Sequence, residues 1–278
     1  MRLRSRRPAH DAGRTLNLSA AILALAVLAD SGVEHYRGSF HNKTMFAPLA
    51  AAALAIAASL YGVSDRRRGR HGGRDAIYAT AAAVGVAGLG FHLYNVTKRP
   101  GGFTWQNLFY AAPIGAPAAL LLSGLLGRGA ERVRDAGRGA PTFFGAPAGK
   151  VLAATSAVGL AGTVGEAGLL HFRGAFQNPA MALPVTLPPV AAGLLAAAAV
   201  RPGRWLRRIA GVWLSLTAAL GLAGVGFHLF GVQRGMGGWR NWSQNLLNGP
   251  PLPAPPSFTG LALAGLAALS LMPEDADG

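Results

Sequence analysis

The chain has 278 residues, of which 51% are hydrophobic and 13% are charged, and its formal net charge is +15. A soluble domain usually has about 25% charged residues, so this composition argues against a soluble protein. The chain contains no cysteine, which excludes disulfides, thiolate metal sites and haem attached through a Cys-x-x-Cys-His motif.

Eight apolar stretches are long enough to cross a bilayer as helices, which takes roughly 20 residues each. In chain order they are Leu16–Val33, Met45–Val63, Ala76–Val96, Leu108–Leu126, Val151–Leu170, Met181–Val200, Ile209–Val232 and the weaker Pro253–Met272. We therefore predict an all-α integral membrane protein with eight transmembrane helices. The alternative, a soluble protein with many buried helices, would need more polar residues than this chain has.

The lysines and arginines predict how the protein is oriented. When the N-terminus is placed inside, 19 of the 26 fall in the N-terminal tail and in the second, fourth and sixth loops. This asymmetry follows the positive-inside rule, so we predict a multi-pass protein of the cell membrane with both termini in the cytoplasm. The lipid bilayer then accounts for the positive charge, and we expect no nucleic acid as a partner.

The two halves of the chain share several strings at a fixed offset. Residues 35–48 read HYRGSFHNKTMFAP, and 136 positions later residues 171–184 read HFRGAFQNPAMALP. The strings GFHLYNV and GFHLFGV begin at Gly90 and Gly226, with the same offset. This self-similarity predicts a tandem duplication, with one four-helix repeat in residues 1–140 and another in residues 141–278. Because each repeat has an even number of spans, both should have the same orientation, and we expect the first span to be retained rather than cleaved as a signal peptide.

Four histidines are candidate ligands of a cofactor or metal: His35, His92, His171 and His228. Each repeat has two of them, 57 residues apart, at the predicted outer ends of its first and third helices. These helices lie diagonally in an up-down bundle, where cofactor sites are built from facing side chains. Two imidazoles that meet there are suited to be axial ligands of haem b, or part of a metal site. The alternative is that they are ordinary polar residues at the membrane boundary.

Two further pairs of aligned residues lie near these histidines. Gly88 and Gly224 precede the second histidine of each repeat by four residues, on the same helix face, and we predict that they leave flat space for a porphyrin. The alternative for the glycines is close helix packing. Arg37 and Arg173 follow the first histidine by two residues and are predicted to pair with haem propionates. The alternative for the arginines is snorkelling to water.

Asp30 and Glu166 are aligned acids inside apolar stretches, five residues before the first histidine of each repeat. Each should lie about 7.5 Å deeper along its helix than that histidine. Ionisable groups are costly in a membrane and mark functional sites, so we predict that this pair has a catalytic role in proton transfer. The alternative is a carboxyl group that only forms hydrogen bonds to a neighbouring helix.

These observations favour a membrane electron-transfer protein that binds one haem b, or a metal, in each repeat. Its expected partners are a quinone or a redox protein at the outer face. Two other functions stay open: a non-catalytic membrane anchor or assembly partner, and a small-solute transporter built from the two repeats. The duplicated polar residues cluster at one face rather than at the midplane, which weighs against the transporter.

Overall fold

The computed structural model describes residues 7–65, 67, 69–110, 113–136, 140–201 and 203–272. This part of the chain is almost entirely helical, as predicted, apart from a short hairpin of β1 (Thr142–Phe143) and β2 (Ala146–Pro147). Short 3-10 helices precede α2, α7 and α9. The α-helices are α1 (Arg7–Arg37), α2 (Ala47–Ser64), α3 (Gly72–Thr97), α4 (Trp105–Tyr110), α5 (Gly115–Asp135), α6 (Ala148–Arg173), α7 (Leu183–Val200), α8 (Arg204–Gln233), α9 (Trp242–Asn248) and α10 (Pro256–Ser270).

Six of the described helices are long and apolar enough to cross a membrane, which indicates a membrane protein: α1, α2, α3, α6, α7 and α8. The fourth and eighth predicted spans differ from this pattern. The stretch Leu108–Leu126 is divided between α4 and α5 around Pro113, which has no N–H to donate to a helical hydrogen bond. Helix α10 has 15 residues and is therefore about 22 Å long, less than the thickness of the hydrocarbon core.

The helices pack in the same pattern in both halves of the chain. Helices α1 and α3 each pack against α2 and α5, so α1 and α3 lie diagonally across a four-helix group. Helices α6 and α8 each pack against α7 and α10 in the same way. The two groups meet where α1 packs against α10 and α5 packs against α6. The centre of the molecule is therefore formed by α1, α5, α6 and α10.

Small residues allow these central helices to approach closely. A Cβ atom added to Gly260 of α10 would lie 3.2 Å from Leu23 Cγ of α1. Between α5 and α6, a Cβ on Gly129 would lie 2.7 Å from a methyl group of Leu152. Close packing of this kind is what holds helices together in lipid, where the hydrophobic effect does not favour one apolar contact over another.

Successive long helices alternate in direction, so the bundle has two chemically different ends. The histidine end carries His35, His92, His171 and His228. The arginine end, on the opposite side, carries Arg74, Arg128, Arg134 and Arg207. The β-hairpin that connects α5 to α6 also lies at the arginine end.

Candidate functional site at the histidine end

The repeated string forms a tight corner between two helices. At the corner after α1, Ser39 and Phe40 have φ angles of 56° and 45°. At the corner after α6, Ala175 and Phe176 have φ angles of 53° and 45°. The left-handed conformation costs an L-residue roughly 1–2 kcal/mol, so other contacts must hold each corner. The string thus encodes a specific backbone turn, which its sequence alone did not reveal.

The first histidine of each half holds its corner through a hydrogen bond. His35 Nδ1 lies 2.7 Å from the carbonyl oxygen of Met45, and His171 Nδ1 lies 2.8 Å from that of Met181. Both bonds connect the end of one helix to the 3-10 helix that begins the next. The imidazole ring therefore stabilises the turn through one of its two nitrogens.

The second histidine of each half makes an equivalent bond to a proline carbonyl. His92 Nδ1 lies 2.6 Å from the carbonyl oxygen of Pro113, and His228 Nδ1 lies 2.7 Å from that of Pro251. These prolines are 138 positions apart, because the second half is two residues longer in this loop. Sequence analysis missed both partners, although the matching prolines could have indicated them once this difference in length was taken into account.

All four histidines therefore present the same nitrogen for further chemistry. A carbonyl oxygen only accepts hydrogen bonds, so each Nδ1 donates, and in the neutral form of such an imidazole the lone pair is on Nε2. The two histidines of each half also lie close enough to interact electrostatically, His92 with His35 and His228 with His171. The two predicted ligands of each half thus lie at the same end of the bundle, and their pairing around a cofactor stays a prediction.

The set of available donors distinguishes between kinds of cofactor. Among the described residues there is no group of three or more His, Asp or Glu side chains that could hold a metal ion. A protein zinc site typically uses three or four side-chain ligands. A haem iron needs only one or two axial ligands from the protein, because the porphyrin supplies the other four. A histidine pair therefore fits haem better than a bare metal ion.

The predicted glycines lie against a neighbouring helix. A Cβ atom on Gly88 would lie 3.0 Å from Pro117 Cβ, and one on Gly224 would lie 2.8 Å from Pro255 Cβ. These contacts bring α3 against α5 and α8 against α10, so they fill the flat space that we expected below the second histidines. Any role of Gly88 and Gly224 in cofactor binding stays a prediction, and it would concern helix placement rather than an open face.

The two predicted arginines have different neighbours. Arg37 Nη1 lies 2.8 Å from Glu34 Oε1, one turn earlier on α1. The residue aligned with Glu34 is Leu170, and Arg173 instead has its guanidinium carbon 5.5 Å from the centre of the Tyr110 ring. Their pairing with haem propionates stays a prediction. Both side chains are nevertheless at the histidine end, where they could pair with the propionates of a bound haem.

The aligned acids lie on α1 and α6, one in each half of the chain. Glu166 and Asp30 lie close enough to interact electrostatically, and Glu34 adds a third carboxylate near Asp30. The backbone N–H of Gly115, at the start of α5, donates a hydrogen bond to the Glu166 carboxyl group. The residue aligned with Gly115 in the second half is Pro253, which has no N–H. The sequence alignment paired these acids but could not show that they meet across the halves.

Aligned asparagines shape the loops beside the site. Asn107 Nδ2 donates to two backbone carbonyls of the loop after α3, at 3.0 and 2.6 Å. Asn245 Nδ2 does the same in the loop after α8, at 3.2 and 2.9 Å. These amides therefore hold the loops around the histidine end in matching conformations.

A second polar cluster lies at the arginine end of the first half. Arg74, whose side chain is 3% exposed, donates to Glu131 at 2.7 Å and to Asp65 at 2.8 Å. Burial acts to raise the pKa of Asp65, but the hydrogen bonds from Arg74 and the Arg67 N–H, together with the charges of Arg74 and Arg134, outweigh burial and hold that pKa below its ordinary value. This ion pair network was not predicted from the sequence.

The same cluster continues deeper into the bundle as neutral hydrogen bonds. The Tyr78 hydroxyl donates to Asn17 Oδ1 at 2.6 Å, so it accepts from Ser59 Oγ at 3.1 Å. All three side chains are fully buried. The signal in the sequence was the presence of three polar residues inside otherwise apolar stretches, since a buried polar group requires a partner.

Comparison of the chain with known protein families, with curated proteins and with solved structures finds no match. The basis for a functional proposal is therefore the geometry of the two ends of the bundle.

Proposed function

We propose that the chain is an electron-transfer protein of the cell membrane that holds one haem b at the histidine end of each of two tandem four-helix repeats. In this proposal α5 and α10 complete eight spans, both repeats have the same orientation, and both termini are cytoplasmic. Two observations support this arrangement. The helices of the two halves pack in the same pattern, and most of the basic residues belong to loops on the side of the arginine end.

The single observation that carries the haem proposal is the common hydrogen-bonding pattern of the four histidines. Histidines that bind a metal almost always donate their other ring N–H to a carbonyl, carboxylate or water, which fixes the ring and its tautomer. Each of the four has its Nδ1 at 2.6–2.8 Å from a backbone carbonyl. This pattern leaves two Nε2 atoms in each half that would hold the haem iron.

A haem held in this way would supply the one-electron chemistry. The protein would hold and orient it with His35 and His92 in one half, and with His171 and His228 in the other. Arg37 and Arg173 would pair with its propionates. Because all four histidines lie at one end, electrons would pass along the outer face to a quinone or a redox protein rather than across the bilayer.

The acids between the halves would handle protons in this proposal. Reduction of a haem adds negative charge, and a nearby carboxyl group that takes up a proton compensates for it. Asp30 and Glu166 are near each other and on the same helices as His35 and His171. Carboxylates that repel each other do not both ionise freely, so either acid would be suited to take up a proton when the haem is reduced.

The haem proposal is tested by replacing histidine with asparagine. Asparagine keeps an N–H group near the position of Nδ1, and it removes Nε2. The His92→Asn variant should lose about half of the Soret absorbance of the purified protein, and the His92→Asn/His228→Asn variant should lose nearly all of it, because bis-histidine ligation is broken in one or both halves. Thermal unfolding should show that both variants stay folded.

His41→Asn is the matched control, because His41 lies at the same end but aligns with Gln177 rather than with a histidine. It should keep the full absorbance. A wild-type protein purified from haem-supplied cells without a Soret band would overturn the proposal and favour the membrane anchor. A double variant that keeps its full absorbance would show that other residues bind the haem.

The proton role is tested by the pH dependence of the haem midpoint potential. Coupling of one proton to one electron shifts a potential by up to about 59 mV per pH unit. The wild type should show part of this slope, and the Asp30→Asn/Glu166→Gln variant should show much less. Glu34→Gln serves as the control for a simple change in charge. Equal slopes in all three proteins would limit the acids to a structural role.

A further inference from the structure

A cavity of about 430 Å³ lies at the arginine end, where the last turns of α5 meet the β-hairpin. The ionisable side chains that line it are Arg128, Arg132 and Asp135, and its aromatic side chains are Phe143 and Phe144. The cavity therefore has a mainly cationic wall and an aromatic wall. It lies at the opposite end of the bundle from the histidines and has no part in the function proposed above.

The cationic wall has hydrogen-bond donors that the protein itself does not use. Arg132 makes no hydrogen bond or ion pair with another described residue, and Arg128 makes one contact of 3.3 Å to Asp75. Asp75 is already bound by Arg70 at 2.5 Å. By contrast, Arg134 of the same helix donates to the backbone carbonyls of Gly62, Asp65 and Arg67. Arg134 Nε is buried without a partner among the described residues, so Arg128 and Arg132 differ from Arg134 in that their unused donors line the cavity.

The spacing of these two arginines suits one small anion. Arg128 and Arg132 are four residues apart on α5, so they project from the same face of the helix. Guanidinium groups present planar pairs of N–H donors that match the oxygens of a phosphate. Asp135 lowers the charge of the lining to +1, which balances one phosphodiester.

The aromatic wall indicates that the ligand also has an apolar part. Phe144 adopts a φ of 52° at the tip of the hairpin, a conformation that usually selects glycine or asparagine, and it is 68% exposed. Its ring lies 4.2 Å from that of Phe143, which is almost completely buried. Aromatic side chains beside the ends of transmembrane helices occupy the boundary between headgroups and acyl chains.

We propose that this cavity binds the headgroup of an anionic phospholipid. Arg128 and Arg132 donate to the phosphate, and Phe144 contacts the glycerol and the first acyl carbons. Basic pockets at the ends of transmembrane helices bind acidic lipid headgroups by this combination of charge and apolar contact. A free phosphate would use only the cationic wall.

The test is a titration of the full chain in a neutral detergent with dioleoyl phosphatidylglycerol, followed by thermal unfolding. The wild type should gain stability in a saturable way, and dioleoyl phosphatidylcholine should give a much smaller gain. Arg132→Gln should weaken the apparent affinity for phosphatidylglycerol about tenfold, because it removes charge-assisted hydrogen bonds. Arg132→Lys should have an intermediate effect, and Asp135→Asn should strengthen binding.

Arg204→Gln is the matched control, since it removes the same charge from an exposed position at the same end but outside the cavity. It should bind phosphatidylglycerol as the wild type does. An Arg132→Gln variant with wild-type affinity would overturn the proposal, as would equal responses to the two lipids. A separate titration uses inorganic phosphate in place of the lipid. Stabilisation by phosphate alone that matches the lipid would identify a soluble phosphate ligand and overturn the lipid assignment.

Discussion

At the arginine end, aligned positions hold polar and charged side chains in the first half and apolar side chains in the second half. In the first half, Tyr78 packs against Gly127 and Arg74 is paired with Glu131. In the second half, Leu214 packs against Gly265, and the positions of the ion pair are taken by Ala210 and Leu269. Most of these side chains are fully buried in both halves. One helix arrangement is thus compatible with either a polar or an apolar interior.

The histidine ends differ from the arginine ends in this respect. Both histidine ends keep the same corner, the same histidine hydrogen bonds and the same asparagine contacts. Since packing alone tolerates a complete change of chemistry at the other end, packing does not explain this similarity. The contacts that hold the corners and loops are kept in both halves, and we place the proposed function at this end.

The largest effect that we expect at the arginine end comes from removing one partner of the ion pair. Glu131→Leu leaves Arg74 buried with only Asp65 as a partner. Breaking a buried pair typically costs about 3–5 kcal/mol, because the remaining charge is left uncompensated. The free energy of unfolding in detergent should fall by an amount in this range.

The double variant Arg74→Ala/Glu131→Leu reproduces the chemistry of Ala210 and Leu269, and it provides the control. Replacement of a whole buried pair by apolar residues is often nearly neutral. The double variant should recover part of the stability that Glu131→Leu loses, since Asp65 then keeps only the Arg67 N–H and the charge of Arg134. If it were no more stable than the single variant, the two arginine ends would not be alternative solutions to the same packing problem.

A smaller effect is expected for the neutral hydrogen bonds. Tyr78→Phe removes the hydroxyl that donates to Asn17 and leaves the Asn17 carbonyl oxygen buried without that donor. An unsatisfied buried acceptor costs about 1–3 kcal/mol. Tyr36→Phe, at a position that is 64% exposed, should leave the unfolding free energy unchanged. A loss of stability in the exposed variant as large as in Tyr78→Phe would contradict the assigned role of the hydrogen bond.

The smallest effect that we expect is a change in how the stability of the protein depends on pH when Asp65 is replaced. The folded pKa of Asp65 lies below the ordinary value of 3.8, so its contribution to stability is present above that value and is lost as the pH falls through the folded pKa. Asp65→Asn should therefore be less stable than the wild type at neutral pH, and the difference should shrink in acid. Asp11→Asn, an exposed acid on α1, should show no such convergence in melting temperature.

The helical, membrane-protein character of the chain could be predicted from the sequence, because it depends on the length and composition of the apolar stretches. Apolar stretches of span length predict helices, and the offset of 136 aligns His35 with His171. The boundaries of the fourth span could not be predicted in the same way. Hydropathy does not indicate that the helix is interrupted near Pro113, because the interruption comes from a missing N–H rather than from a polar side chain.

Contacts between segments that are distant along the chain could not be predicted from the sequence either. The partners of the histidine Nδ1 atoms are backbone carbonyls, which carry no sequence signature of their own. The electrostatic interaction of Asp30 with Glu166 depends on how the two halves pack, and the glycines at the contacts between the halves have a pattern that also fits other helix pairs. The residue types at the site were visible in the sequence, whereas their partners were not.

The contact between α1 and α10 has a consequence for biosynthesis. A chain is made and inserted from its N-terminus, so α1 enters the membrane long before α10 has been translated. The surface of α1 around Leu23, which Gly260 of α10 covers in the finished protein, must meanwhile face lipid or the insertion machinery. Helix α10 thus covers a surface of α1 that is synthesised much earlier, and a ribosome that stops before α10 releases a product in which this surface of α1 is still uncovered.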